Sequence, residues 1–177
     1  DVVRSFAALN PAAKDFRIFW DNAYAVHDLY DSINLLSIID ECEKSGKPNM
    51  PIMFGSTSKI TYPGSGVALM AASEENLSFF KKQMTVQTIG PDKINQLRHV
   101  TFFKTKEGVL SHMQFHADIL RPKFEAVVSA FESELGGLGI AEWTKPLGGY
   151  FISFDSTIGV ASEIYDLCVQ AGLTLTS

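Results

Sequence analysis

Phe16-Arg17-Ile18-Phe19-Trp20-Asp21-Asn22-Ala23-Tyr24 and, further along, Pro51-Ile52-Met53-Phe54-Gly55-Ser56-Thr57-Ser58-Lys59 decide the fold. Each is a short, strongly apolar run that passes at once into a polar loop of small residues. The first run lies between Lys14-Asp15 and Asp21-Asn22, the profile of a parallel strand covered on both faces. Between the two runs, residues 32–44 place Ile33, Leu36, Ile38, Ile39 and Cys42 on one side and Asp40, Glu41, Glu43 and Lys44 on the other. That periodicity predicts a helix, stopped by Gly46 and Pro48. Strand, helix, strand predicts a doubly wound α/β layer with right-handed crossovers, whose ligands sit beyond the C-terminal strand ends. Candidate sites therefore fall at residues 21–24 and 55–59.

Outward from this unit, residues 2–13 read as a short amphipathic helix ended by Pro11. Val67–Ala72 reads as a third strand, and Ser73-Glu74-Glu75 as the start of another helix. Pro91 to Leu135 is a long helical stretch with weak points at Glu107-Gly108 and Pro122, closed by Gly136-Gly137-Leu138-Gly139. Trp143, the turn Pro146-Leu147-Gly148-Gly149, a strand over Tyr150–Phe154, a helix near Ala161–Ala171 and a final strand complete the chain. This last third departs from alternating layers, so residues 1–105 read as a segment of a large α/β domain and residues 106–177 as a segment of a smaller α+β domain. The opening Asp1-Val2-Val3-Arg4 and the ending Leu173-Thr174-Leu175-Thr176-Ser177 read as an excerpt of a longer chain.

Composition narrows the function classes. The chain has 177 residues, 46% of them hydrophobic and 20% charged, with 13 Phe, which excludes intrinsic disorder and predicts that most rings are buried. Fifteen Lys and Arg against twenty Asp and Glu give a net charge of −5 with the basic residues dispersed, arguing against a nucleic-acid partner. No apolar run approaches the ~18 residues of a membrane span. Asp1, Arg4, Lys14, Asp15 and Arg17 interrupt what a signal peptide keeps apolar. Cys42 and Cys168 fit neither a disulfide framework nor a zinc knuckle, so a reducing cytoplasm is the expected compartment.

The chemistry resides in two clusters. A carboxylate at Asp21 can hold a cationic nitrogen of a heterocycle, and the Tyr24 phenol can reach an oxygen on the same ring; taken alone, an Asp after a strand reads as readily as a loop cap. Hydroxyls and turn amides at Gly55–Ser58 suit a phosphate, and Lys59 beside them can form a Schiff base with a carbonyl cofactor, although a serine-rich turn with a Lys is common. Together they are two half-sites of one crevice, because both lie at C-terminal ends of strands and one crossover helix fits between them.

At this point the residues resemble a family. Trp20-Asp21-Asn22-Ala23-Tyr24-Ala25-Val26-His27, Ser56-Thr57-Ser58-Lys59-Ile60-Thr61, Thr88-Ile89-Gly90-Pro91-Asp92-Lys93-Ile94-Asn95-Gln96-Leu97-Arg98-His99 and Lys145-Pro146-Leu147-Gly148-Gly149-Tyr150-Phe151-Ile152-Ser153 are similar, in order, to motifs of the fold-type I pyridoxal-phosphate aminotransferases. The similarity is to the aspartate aminotransferase-like group that carries the MocR label, and it runs through essentially the whole chain. It implies that Asp21 keeps the pyridine nitrogen protonated, Tyr24 hydrogen-bonds the ring 3-oxygen, Lys59 forms the Schiff base, and Ser56 with Ser58 binds the phosphate. It further implies a homodimer, with the Thr88–Pro91 turn reaching the neighbouring subunit's phosphate site; the plain alternative is a helix entry with Pro91 in the first turn.

The sequence also departs from that pattern. Many relatives carry a phosphate-binding Arg about eight residues after the Lys, where this chain has Pro63-Gly64-Ser65-Gly66-Val67, so phosphate affinity must come from other groups such as the Gly64–Gly66 amides. The resemblance places the substrate-carboxylate Arg beyond Ser177, and the Asn-Pro-Thr-Gly loop and cofactor-stacking region before Asp1. It also implies a further strand between those at 16–20 and 51–54, which these residues alone would leave as a gap.

Among the remaining features, His112 and His116 stand at metal-capable i, i+4 spacing but lack the glutamate of a zinc protease, and read as surface-helix residues; no metal is expected. His27 reads as a pocket-lining residue or, equally, as a capping or packed one. Trp143 and the phenylalanines read as core. The expected activity is transfer of an amino group from an aspartate-like amino acid to 2-oxoglutarate or a similar 2-oxo acid by a ping-pong mechanism, the isolated segment being inactive. Rival readings are a β-lyase or decarboxylase on the same fold, a non-catalytic aminotransferase-like regulator, which a winged-helix extension in the complete gene would favour, and a stable fragment with no function of its own.

Overall fold

The computed structural model describes residues 2–31 and 34–176. The chain divides into two compact units, Asp1–Val26 with Asp31–Met113 and His27–Tyr30 with Gln114–Ser177. The first unit holds α1 (Val2–Ala8), β1 (Ile18–Asp21), α2 (Ile38–Lys44), β2 (Pro51–Ser56), β3 (Ala68–Ala72), α3 (Glu74–Gln87) and α4 (Lys93–Phe103). Helix α5 (Lys106–Glu134) begins in the first unit and ends in the second, which continues with β4 (Ala141–Trp143), β5 (Phe154–Ser156) and α6 (Ala161–Gln170).

Strands β1 and β2 pair in parallel, from Ile18 opposite Pro51 to Asp21 opposite Phe54. The anticipated gap between them does not exist. Ile18 N–H donates to Met50 O and Asn22 N–H to Phe54 O, each at 2.8 Å, so the ladder runs on past both strand ends. Strand β3 returns antiparallel to β2, Ile52 opposite Ala72 and Ser56 opposite Ala68. The connection over residues 57–67 is too short for the crossover that another parallel strand needs.

Along β1 the burial alternates: Ile18 is buried and Trp20 half-buried, while Phe19 is 70% exposed and Asp21 is exposed. This corrects the expectation of a strand covered on both faces. Both α1 and α2 contribute to one core, Ala7, Ile18, Ile38, Cys42 and Met50, against which Val3, Trp20, Ile39 and Met53 also pack. On the strand's other face, Phe19 and Asp21 stay exposed among the described residues. Rings elsewhere are exposed too, among them Phe79, Phe102, Phe115 and Phe151, contrary to the expectation that most would be buried.

Helix α2 is shorter than its periodicity predicts. Residues 34–37 are not helical, and Ser32 and Ile33 lie outside the described residues. Ser37 has an extended backbone and its hydroxyl accepts from Asp40 N–H, which satisfies an orphan donor of the first turn and starts the helix there. Glu41 on α2 accepts from Lys44 at 2.6 Å and from Arg4 on α1 at 3.3 Å, tying the two helices together. The Lys44 hydrogen bond first, with help from Arg4, holds the Glu41 carboxyl below the usual carboxylate range.

Caps also set the later helices. Ser73 accepts from Asn76 N–H at the start of α3, and Asp92 from Asn95 N–H at the start of α4, which puts Pro91 before the cap and outside the first turn. The long helical stretch breaks at Lys104, whose φ is +62°, earlier than the expected Glu107-Gly108. Those two residues form the first turn of α5, and the helix continues through Pro122.

In the second unit β4 and β5 are antiparallel, with Trp143 opposite Phe154. Trp143 and Phe154 stack at 6.5 Å between centroids, and Phe131 packs on both, but all three rings are half-buried where the sequence reading expects core. The expected strand over 150–154 forms only from Phe154 onward, and residues 173–176 form no strand; Ser177 lies outside the described residues. Residues 27–30 join this unit through Leu29 N–H to Leu147 O and Gly149 N–H to His27 O, both 2.9 Å. A Cβ at Gly148 would stand 2.8 Å from His27 O, so this close approach requires glycine.

Ile38 has no exposed surface at the centre of the α1, α2 and sheet core. Ile38→Ala is expected to lower stability by about 2–5 kcal/mol in equilibrium denaturation. Because the folded Glu41 carboxyl titrates below its unfolded range, its contribution is present above that range and fades as pH falls through the folded value. Glu41→Gln should accordingly flatten the acid limb of stability against pH, measured by thermal unfolding across acid pH.

Candidate active site

The parallel register brings the two predicted clusters to one end of one sheet. Asp21 is the last residue of β1 and lies opposite Phe54. Since side chains alternate along a strand, Asp21, Phe54 and Ser56 share the face opposite the α1 and α2 core. Phe19 meets Phe54 edge to face at 5.7 Å on that same face. Tyr24 follows in the turn after β1 and is half-buried.

Beyond β2 the chain makes one helical turn: Ile60 N–H and Thr61 N–H both donate to Thr57 O, at 2.9 and 2.8 Å. Lys59 sits in this turn and is exposed. Ser56 Oγ lies 2.7 Å from Ser58 Oγ and accepts from Ser58 N–H at 3.0 Å, giving two hydroxyls and an amide in one cluster. The structure thus brings Ser56 and Ser58 into contact, sets Lys59 next to them in the chain, and puts Asp21 on the neighbouring strand end with Tyr24 in the turn that follows.

The loop over residues 57–67 is closed on itself. Thr57 N–H donates to Val67 O at 3.0 Å, and Val67 N–H to Thr57 Oγ1 at 2.8 Å. Val67 stands where the family resemblance leads to the expectation of an Arg, and here its backbone does the closing. Gly64 has φ +80°, a conformation that favours glycine. At Gly66 a Cβ would stand 2.5 Å from Ser58 Oγ and 2.8 Å from Ser58 N, so only glycine allows the return strand this close to the hydroxyl cluster. Of the three amides suggested for phosphate, that of Ser65 is committed to Tyr62 O at 3.1 Å.

Three residues to which sequence reasoning gave no role hold this loop from α4 and α5. Asn95 Nδ2 donates to Ser65 O and Gly66 O at 2.8 and 3.1 Å. His99 contacts Thr57 Oγ1 and Thr61 Oγ1 at 2.8 and 3.2 Å. His112 Nε2 donates to Ile60 O at 2.9 Å. The i, i+4 spacing of Asn95 and His99 inside a family-like motif is the signal that could have found two of them. His112 and His116 do not act as a pair: His112 serves Ile60, while His116 Nδ1 lies 3.5 Å from the Tyr150 hydroxyl. Both are half-buried, where the sequence reading put them on a surface helix. His27 is buried and meets the Tyr150 ring edge to face at 5.0 Å, the packed reading rather than the pocket-lining one. Among the described residues no group of three His, Cys, Asp or Glu could hold a metal ion, and no helix is long and apolar enough to cross a membrane.

The profile of the aspartate amino-transferase family matches residues 1–177. The chain belongs to the aspartate aminotransferase family. It is 44% identical to an aspartate aminotransferase of Corynebacterium glutamicum over 99% of its length and 41% of that protein's. The crystal structure of an aspartate transaminase from C. glutamicum superposes with a TM-score of 0.93 at 44% identity, covering the whole of this chain and 42% of that one. The α-aminoadipate aminotransferase LysN of Thermus thermophilus shares the fold at 23% identity, with a TM-score of 0.71 over 89% of this chain and 39% of that one. This aminotransferase-family chain therefore spans about two-fifths of the length of these relatives, and its α/β first unit and smaller α+β second unit are pieces of the fold-type I architecture.

Gly66→Ala is expected to push Ser58 and the return strand apart. Hydrogen exchange should then accelerate at the Ser58 and Val67 amides, which Ser56 Oγ and Thr57 Oγ1 now protect, by at least ~10-fold relative to the α2 amides.

Proposed function

We propose that the protein carrying this chain is a pyridoxal-phosphate-dependent aminotransferase, moving an amino group from an aspartate-like amino acid to a 2-oxo acid such as 2-oxoglutarate. The observation that carries this reading is the placement of a lysine, a paired hydroxyl cluster and a carboxylate at the C-terminal ends of two directly paired parallel strands. The donor set suits the group: hydroxyls and a turn amide for a phosphate, an exposed amine for an aldehyde, and a carboxylate for a basic ring nitrogen. The 44% identity to an aspartate aminotransferase supports the same reaction class.

Bound pyridoxal phosphate supplies an electron sink for charge developing at the α-carbon of the amino acid. Asp21 would hold the ring nitrogen and keep a proton on it, which maintains the sink in its effective form. Tyr24 donates its phenolic proton toward the ring 3-oxygen. Ser56 and Ser58 bind the phosphate together with loop amides, taking the part that an Arg plays in many relatives. Lys59 Nζ would hold the cofactor at its aldehyde and, as a free amine, would take up and return the α-proton of the amino acid.

The protein acts as a homodimer in this reading, with the Thr88–Pro91 turn presented to the second copy; Ile89 at its tip is fully exposed and the Thr88 hydroxyl donates to Gly90 O at 2.8 Å to brace it. Residues 1–105 belong to the large domain and 106–177 to the small one, in the cytoplasm. These 177 residues alone do not turn over.

Borohydride reduction of the full-length protein with pyridoxal phosphate should place the cofactor mass on the Lys59 peptide; mass on another lysine, or none, overturns the assignment. Lys59→Ala should abolish transamination, and Asp21→Ala should reduce it by at least ~100-fold, measured with aspartate and 2-oxoglutarate. Ammonia or amine release without a 2-oxo acid requirement would favour a lyase or decarboxylase instead.

A further inference from the structure

The turn that carries Lys59 is held at Thr57 by an imidazole that Thr61 also flanks. His99 Nδ1 lies 2.8 Å from Asn95 O, a carbonyl that can only accept, so Nδ1 carries the proton and in the neutral ring Nε2 is an acceptor. Its donor is Thr57. The Thr57 hydroxyl oxygen already accepts from Val67 N–H, and its one proton points to His99 Nε2 at 2.8 Å. The Thr61 hydroxyl donates to Thr57 O at 3.1 Å, so its oxygen lies beside the ring at 3.2 Å with its proton spent.

Several of the bonds that shape the turn pass through Thr57. Its carbonyl closes the helical turn around Lys59, its amide and hydroxyl close the loop at Val67, and its hydroxyl proton is fixed by His99. The ring's own orientation is fixed by the preceding turn of α4, through Asn95 O, and Phe103 packs against it at 6.2 Å. One turn back on the same helix face, Asn95 holds the far end of the loop by its Ser65 and Gly66 carbonyls. Lys59 has a flexible stem, so the direction its amine takes depends on a backbone that does not rotate.

We propose that His99 is a positioning residue for Lys59: its imidazole, through Thr57, fixes the backbone turn from which the amine projects. This rests on the reading of Lys59 as the cofactor-bearing amine. A general stabilising hydrogen bond would affect folding alone. A positioning bond affects the reaction of Lys59 in protein that is fully folded and saturated with cofactor.

The test uses the full-length holoenzyme. His99→Phe keeps an aromatic ring and removes the acceptor; His99→Gln places an amide oxygen near the former Nε2; Thr57→Val removes the donor. With unfolding midpoints recorded alongside, His99→Phe should lower kcat by ~10-fold or more at saturating pyridoxal phosphate with KM for the amino acid unchanged. It should also lower the fraction of cofactor trapped on the Lys59 peptide by borohydride, a readout independent of turnover. His99→Gln should recover most of both losses. The double variant His99→Phe with Thr57→Val should lose no more than the worse single variant, because both break one pathway. Unchanged kcat and trapping in folded His99→Phe, even with a lower unfolding midpoint, would overturn the proposal, as would losses that multiply in the double variant. If His99→Phe does not fold, Thr57→Val decides alone: wild-type trapping and kcat overturn the proposal, and loss of both supports it. A wild-type protein that traps no cofactor at Lys59 refutes the underlying functional reading instead, and shows it before any variant is compared.

Discussion

Everything at the candidate site depends on the parallel pairing of β1 with β2. Four in-register pairs end with Asp21 opposite Phe54. A slip of one residue would reverse the facing of a whole strand and turn Asp21 toward the α1 and α2 core, so the register is also a statement about which side chains share a face. It is enforced from the other side of the sheet. Ile18 and Trp20 alternate with Phe19 and Asp21, and among the described residues the first pair packs into the α1 and α2 core while the second stays exposed. The core thus orients the site without touching it.

The loop after β2 shows how a short connection is made rigid. It has no room to cross over, so it turns back into an antiparallel strand, and its backbone groups find partners locally or on α4 and α5. Each such hydrogen bond contributes only about 0.5–1.5 kcal/mol. Their value lies in being mutually consistent: Thr57 alone takes part in the turn, in the loop closure and in the contact with His99. Gly66 completes the design by letting the return strand approach Ser58 more closely than any side chain would allow.

The second unit is organised differently. Its strand pair is short, and its packing centres on Phe131, Trp143 and Phe154 and on the segment 27–30, which the Arg121 guanidinium engages through Leu29 O at 2.6 Å and the Tyr30 ring at 5.6 Å. Arg121 Nε reaches a carbonyl far away in sequence, a contact that no local pattern announces. The same unit accounts for His27, which a sequence reading sets only three residues after Tyr24 but which packs on Tyr150.

The amino-acid sequence by itself determined the strand-helix-strand unit, the positions of the two loops that follow β1 and β2, the cap at Ser73 and the family. These are local signals: apolar runs, a period near 3.6, small polar residues where an orphan amide needs an acceptor, and motifs in a fixed order. The tertiary structure alone decided that β1 and β2 are direct neighbours, that Phe19 and Asp21 on β1 stay exposed, and that His99, Asn95 and His112 serve the Lys59 loop. Pairing partners, strand coverage and the targets of long side chains depend on contacts between residues distant in the chain. Periodicity within a segment reports which face of it is apolar, and carries no information about which other segment lies against that face.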